Sequence, residues 1–547
     1  MNQSTSALEA RPSTAAGQAQ GHPEAAARMP GGIPFIVVNE FAERFSFYGI
    51  NAMLALFLVQ FLHFGEAQAT TWGSLFKSGA YFFPMLGAIC SDVFWGKFRT
   101  VVSFSVVYVI GCIVLAASHT SQMLAIGLFL VAFGTGGIKP CVATNVGDQF
   151  TTANQHLIER AFSWFYLAIN AGSTISILLC PILLSKYGPG VAFGTPAAMM
   201  LLATVVFWSG RNRFAVVPPA GKVWLKEVFS PIGLKTILNL LVIYLFIAFF
   251  WALWDQSNGT SWSLQARSSL MDKHIFGFTL LPAQIQAVNA VFILLFAPFF
   301  SYVVYPLWGK AFKVTPVRKI AVGLFVTASS FLVIAWIESR IQNGHVVSIW
   351  WQILAYAILT CGEVLVSITG LEFSYTQAPL SMKSFIMALF YLAVSVGNLF
   401  TAAVNHYMVR PLEATSMEIG SETWLHLPDA SAIVAGQKID FDGTGVYVVT
   451  PGSADEPLAG TFIVGTVDGP GNRVSLLGAE DRKPIDTRGA FDAQHASVST
   501  YALVGPAYFM FFAKLMAAGA LLFLVVAYFY REKTYVRSDT DTATAAS

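Results

Sequence analysis

The chain has 547 residues, of which 55% are hydrophobic and 11% charged, with 46 phenylalanines and a mean hydropathy of +0.61. A soluble domain carries about 25% charged residues, so this composition excludes a water-soluble globule and points to a polytopic membrane protein. The formal net charge of +2 carries no nucleic-acid signal, and Cys90, Cys112, Cys141, Cys180 and Cys361 lie in apolar segments without metal-ligand spacing, as small buried thiols.

Residues 1–30 are rich in Ala, Gly, Gln, Ser and Pro without an apolar core, and read as a disordered tail rather than a cleavable signal. Apolar runs long enough to span a bilayer then follow near 33–62, 71–93, 100–118, 122–147, 161–185 and 190–210. A basic loop, 211–233, contains Pro218 and Pro219 and divides the chain into halves. Further runs lie near 234–258, 283–308, 317–338, 348–376, 382–406 and 503–531, giving roughly twelve segments, six on each side.

Basic residues set the expected orientation. Lys97 and Arg99, then Arg211, Arg213, Lys222, Lys226 and Lys235, then Lys310, Lys313, Arg318 and Lys319 occupy alternate loops. The intervening short loops hold only Lys186, Arg267, Lys273 and Arg340. The positive-inside rule places these richer loops and both termini, including the tail 532–547, in the cytoplasm of a multi-pass protein of the cell membrane. Residues 407–502 break the pattern. They carry 13 acidic and 6 basic residues and short β-branched runs between Gly, Pro and Asp, as in "GTFIVGTVDGPGNRVSLLG". A small β-rich extracytoplasmic insertion before the last segment is expected.

Charges inside apolar runs are the chemical signal, since a charge at mid-membrane costs roughly 2.5–3.5 kcal/mol. In "NEFAERFSFYGIN", Glu40, Glu43 and Arg44 share a helical face that Tyr48 continues, and Glu40 and Arg44 have i,i+4 spacing. An interfacial ion pair is the plainer reading. The triplet's position about two to three turns into the segment favours a cavity. Lys139, in "GTGGIKPCVATN", lies too deep to snorkel and needs a counter-carboxylate, available only if the first and fourth segments meet. Its surroundings lack the spacing of a phosphate-binding loop. Asp255 ends "IAFFWALWDQSNG" and is equally a gate residue or a plain helix-end charge. Glu363 lies deep in the tenth segment, with Ser367, Gly370 and Ser374 expected on its face. Asn170 and Asn289 are intramembrane polar groups of the kind that more often join helices than bind ligands. Tyr48, Tyr81, Tyr166, Trp251 and Trp254 draw attention only by lying beside these polar positions.

These stretches resemble the motifs of one family. "NEFAERFSFYG" resembles the ExxERFxYYG motif of the proton-dependent oligopeptide transporters, a branch of the major facilitator superfamily. "FYLAINAGS" resembles that family's FYxxINxGS signature, and "GTGGIKPCVATNVGDQF" and "GEVLVSITGLEFSYTQAP" resemble its fourth- and tenth-helix motifs. "GAICSDVFWGKFR", with Asp92, Gly96, Lys97 and Arg99, is similar to the superfamily's motif between helices 2 and 3. The resemblance spans about residues 35–400. It implies an all-α major facilitator fold of two six-helix bundles that imports di- and tripeptides with protons by alternating access.

The resemblance also implies roles. Arg44 and Lys139 would face the peptide carboxylate and communicate with the proton-handling Glu40 and Glu43. Asn170, Glu363 and Asn289 would hold the peptide amine. Tyr48, Tyr81 and Trp251 would line side-chain pockets, and Asp255 would belong to the outer gate with a part in proton coupling. The sequence departs from the family at Phe47, where a tyrosine is usual, at Thr174, and at Ser74, where animal members have a histidine. Residues 211–233 leave no room for the two extra helices of many bacterial members, and the insertion lies before the last helix rather than between the ninth and tenth. The expected partners are peptides, protons and the bilayer, for a monomer without cofactor or metal. Alternative readings are a transporter of nitrate or a peptide-like metabolite, or a receptor acting through 407–502. An enzyme is not expected, because H-E-x-x-H, G-x-S-x-G and paired membrane aspartates are missing from the sequence.

Overall fold

The structure, a computed structural model, describes residues 28–151, 154, 157–215, 219, 229–311, 313–377, 383–449 and 455–530. The expected N-terminal tail up to residue 27, most of the linker beyond 215 and the C-terminal tail lie outside the described residues.

The N-terminal half begins with α1, Ile33–Gln60, which is buried on every face, as its apolar residues all round require. Next come α2, Glu66–Phe82, and α3, Pro84–Ile89, continued by a π-helical turn, Cys90–Trp95. This second segment starts five residues before its expected boundary. Gly96 then turns the chain with φ 76°, a value that suits glycine, into α4, Lys97–Ala116. The next helix, α5, Ser121–Asp148, is capped by Thr120 and tolerates Pro140. The expected fifth and sixth segments form one helical run, α6, Ile158–Ser209. It bends at Gly188 (φ 77°), where Pro189 restarts the helix and takes the place of the expected loop.

The C-terminal half contains α7, Pro231–Ser257, α8, Ser261–Gln265, α9, Ala287–Phe299, α10, Tyr305–Ala311, and α11, Pro316–Gln342. It continues with α12, Trp350–Glu363, α13, Thr369–Gln377, α14, Lys383–Tyr407, and α15, Pro506–Phe529. Each half packs its own hydrophobic core. Among the described residues, ten helical stretches are long and apolar enough to cross a membrane, the bent α6 run among them.

Four short strands lie near the start of the C-terminal half: β1, Met271–Asp272, β2, His274–Ile275, β3, Phe278–Thr279, and β4, Val347–Ser348. Between α14 and α15 the chain forms β5, Val409–Pro411, β6, Ser416–Glu418, β7, Trp424–His426, β8, Lys438–Asp442, and β9, Val446–Val448. Five more follow: β10, Glu456–Pro457, β11, Gly460–Asp468, β12, Arg473–Gly478, β13, Thr487–Gly489, and β14, Ser497–Tyr501. Seven of them make a sheet in the order β5-β14-β8-β11-β12-β7-β6, and β10-β9-β13 make a second. Strand alternation explains the packing. In "KIDFD", Ile439 and Phe441 enter a core with Leu425, Val464, Val474 and Leu476, while Lys438 and Asp440 point the other way, towards the helices.

Candidate functional site

Arg44 lies within the first helix at the centre of a carboxylate cluster. Its Nε is 2.6 Å from Glu40 Oε1 and 3.3 Å from Glu43 Oε2, and both glutamates are fully buried. Thr135 Oγ1 donates to Glu43 Oε1 at 2.6 Å, so α1 and α5 do meet, as the sequence required for Lys139 to have company. The triplet is therefore not an interfacial ion pair. It is a buried cluster, in which the charged groups are tolerated because they are paired and hydrogen-bonded.

Lys139 is held differently from the expectation. Its Nζ has no hydrogen-bond partner among the described residues and is in no ion pair with Glu40 or Glu43. It sits 3.8 Å from the ring centre of Phe47 and 4.2 Å from that of Tyr81, between two π faces. Phe47, the departure from the family motif, thus has a defined contact. Lys139 also lines a cavity of about 240 Å³ together with Asp92, Pro140, Thr144, Met387 and Tyr391 among others. A buried lysine that keeps its donors free beside a cavity is suited to an anionic group of a ligand.

The opposite pole belongs to the C-terminal half. Asn289 Nδ2 donates to Glu363 Oε2 at 2.7 Å and to Thr360 Oγ1 at 3.0 Å, fixing the carboxylate. Tyr48 packs against Ile177 and Ala287, bridging the halves, and lies in electrostatic reach of both Arg44 and Glu363. Tyr81 and Tyr391 face each other with ring centres 6.1 Å apart. Trp251 is buried against Trp254 and Phe390. Asn170 donates its amide N–H to the Tyr166 carbonyl one turn earlier at 2.8 Å. The expected face of Glu363, Ser367, Gly370 and Ser374 is broken. A π turn, Val364–Ile368, changes the helical register, and Ser374 is bonded to Tyr244 inside the C-terminal half.

Asp255 is no plain helix-end charge. It is fully buried, 2.5 Å from Lys77 Nζ and accepting from Ser74 Oγ at 2.5 Å. The three donors of the Lys77 ammonium are spent on the Asp255 carboxylate, the Asp255 carbonyl (2.9 Å) and the Asn258 carbonyl (2.8 Å). Asn51 donates to Asn258 Oδ1 at 3.0 Å, and Ser78 and Ser395 exchange hydrogen bonds one turn deeper. These bonds join the halves from mid-depth towards the face carrying the insertion. On the other face Lys97 pairs with Asp148 within the N-terminal half. The sequence reading missed Lys77, Thr135 and Tyr391. Lys77 was a visible signal, a lone lysine in an apolar run, whereas nothing marked Thr135.

Two helical halves with charged groups buried between them define the class: a multi-pass membrane protein of the major-facilitator type. The POT family profile matches residues 98–234 and 230–425. Solute carrier family 15 member 2 of Danio rerio is 38% identical over 358 residues, covering 56% of this chain and 50% of that protein. The solved structure of the POT family transporter PepTSo superposes with TM-score 0.65 at 35% identity, over 70% of this chain and 90% of the other. An auto-inhibited POT family peptide transporter superposes with TM-score 0.69 at 29% identity, over 93% of this chain and 99% of the other. The chain spans about half the length of the curated relatives it matches. It belongs to the POT family.

Proposed function

We propose that this protein imports di- and tripeptides together with protons by alternating access. The observation that carries the reading is the pair of opposite poles flanking Tyr48. Arg44 and the free ammonium of Lys139 lie at one pole, and Glu363 held by Asn289 lies at the other. A zwitterionic peptide presents complementary charges at a set separation, which such a site recognises through the main chain. The aromatic surroundings, Tyr48, Tyr81 and Trp251, then accept varied side chains. Asn170 donates through its amide N–H to Tyr166, and its Oδ1 is the atom that would accept the peptide amine.

Glu40 and Glu43 are the proton-handling pair. Protonation weakens their hold on Arg44, which then grips the peptide carboxylate, and deprotonation restores the pairs and expels it. The membrane supplies roughly 2.3 kcal/mol per charge per 100 mV and about 1.4 kcal/mol per pH unit. Lys77, Asp255 and Ser74 form an outer gate, drawn closed here, while the Lys139 cavity opens the other way. In this reading the chain makes twelve crossings: the ten apolar stretches, a second for the bent α6, and the segment from Glu66 to Trp95. It acts as a monomer in the cell membrane with both termini inside and the insertion outside, and needs no cofactor. The test is uptake of a labelled dipeptide by purified protein in liposomes. An inward proton gradient should drive accumulation that vanishes when the gradient is collapsed. Uptake of nitrate but not dipeptide, or gradient-independent equilibration, would overturn the reading.

A further inference from the structure

The insertion does more than occupy the outer surface. Helix α2 carries Ser74, Lys77, Ser78 and Tyr81, and so bears one wall of the gate. Its N-cap residue is Gly65, which has no side chain to accept the free N–H groups of the first turn. The insertion supplies the missing acceptor: the Glu66 N–H donates to Thr461 Oγ1 on β11 at 2.9 Å. Asp440 on β8 closes over the same spot, holding Thr461 Oγ1 (2.6 Å) and Tyr501 Oη (2.7 Å), with its carboxylate against Gly65 so closely that a Cβ there would stand 2.0 Å from Oδ2. A carboxylate at this end also suits the helix dipole. Lys438 Nζ adds an ion pair to Glu66 Oε2 at 2.6 Å.

Most of the other attachments lie on the C-terminal half. Through β5 and β14 the insertion continues directly into α14 and α15. Glu480 accepts from Arg267 at 2.5 Å, its carbonyl accepts the Ser269 N–H at 2.8 Å, and its carboxylate reaches back to Gln60 of α1 at 3.3 Å. The domain is covalently part of one half and caps a gate helix of the other. We propose that the insertion is an external strap: Thr461, Asp440 and Lys438 position the start of α2 and hold the outer gate shut, and the strap must let go of α2 for the outer face to open.

This rests on the transporter reading, yet it is testable without transport. Ser78 is buried between the halves and bonded to Ser395, so Ser78→Cys places a thiol that an impermeant maleimide reaches from outside only when the halves part there. In right-side-out vesicles, with labelling of the parent protein subtracted, Lys438→Glu and Thr461→Val should each raise labelling about fivefold, as for loss of one partly buried polar tie. Thr461→Ser, which keeps the hydroxyl acceptor for the Glu66 N–H, should leave labelling near the parent level. Arg473→Glu, which breaks the Glu418 and Asp468 pairs at the far edge of the sheet, should leave it unchanged. Parent-level labelling in both strap variants, a rise with Thr461→Ser equal to that with Thr461→Val, or an equal rise with Arg473→Glu would overturn the strap. Dipeptide uptake in the same vesicles reports separately on the transport reading.

Discussion

At the residue scale, the decisive contacts are those that let charge survive in an apolar medium. Lys139 rests between two aromatic faces, so in the proposed site Phe47 contributes a contact despite lacking the usual hydroxyl. Phe47→Leu removes one face and should raise the dipeptide KM about three- to thirtyfold, the span expected for a desolvated cation–π contact. Phe47→Tyr should stay within about twofold. Equal KM values for the Leu and parent proteins would refute the contact's importance. The Lys77–Asp255 pair makes a sharper demand. Removing one partner strands a buried charge and costs about 3–5 kcal/mol. Lys77→Met alone should therefore lower the melting temperature of the purified protein more than Lys77→Met combined with Asp255→Leu. A double variant less stable than the single would contradict the pairing.

At the element scale, the sequence announced most helices but not their irregularities. The charges of Glu40, Glu43, Arg44, Lys139 and Glu363 were legible because charge inside an apolar run is expensive and demands a reason. The π turn after Glu363 was not, since a one-residue slip in hydrogen bonding leaves composition unchanged. The bend at Gly188 was read as a loop because Gly and Pro mark both. The insertion's strands were visible through alternation. Its docking was not, because Lys438, Asp440 and Thr461 look like ordinary outward-facing strand residues until α2 is placed against them.

That docking carries a pH signature. Burial, followed by hydroxyl donation from Thr461 and Tyr501 that opposes it, leaves the Asp440 carboxyl pushed up to about 6, with Glu66 raising it further and Lys438 lowering it. A free aspartate titrates near 3.9, so between about 4 and 6 the docked domain binds a proton that the released or unfolded domain does not. The contribution to docking is full below that window and is lost as pH rises through 6. The native protein should melt higher at about pH 5 than at pH 7 by a margin that Asp440→Asn reduces, since Asn keeps an acceptor without titrating. Identical pH slopes in the two proteins would exclude Asp440 as the source.

At the scale of the whole molecule, coupling requires that the proton site and the gate answer to one another across two rigid halves. Each half is built around a core, and the halves meet through apolar packing around Ala52, Ile177 and Ala287 and through polar bonds on the insertion's side: Lys77 with Asp255, Asn51 with Asn258, Ser78 with Ser395. The Glu43 carboxylate touches Arg44 on its own helix and Thr135 on α5, which places it within the N-terminal half, beside the proposed substrate site. Neutralising it should uncouple the cycle without closing the path. Glu43→Gln keeps a hydrogen-bond acceptor for Thr135 and removes the titrating charge. In proteoliposomes this variant should retain peptide exchange across the membrane at equal pH while losing accumulation driven by a proton gradient. The two measurements separate the possibilities: loss of both means Glu43 shapes the binding site, retention of both means the proton is carried elsewhere, and only exchange without accumulation assigns the coupling to this carboxylate.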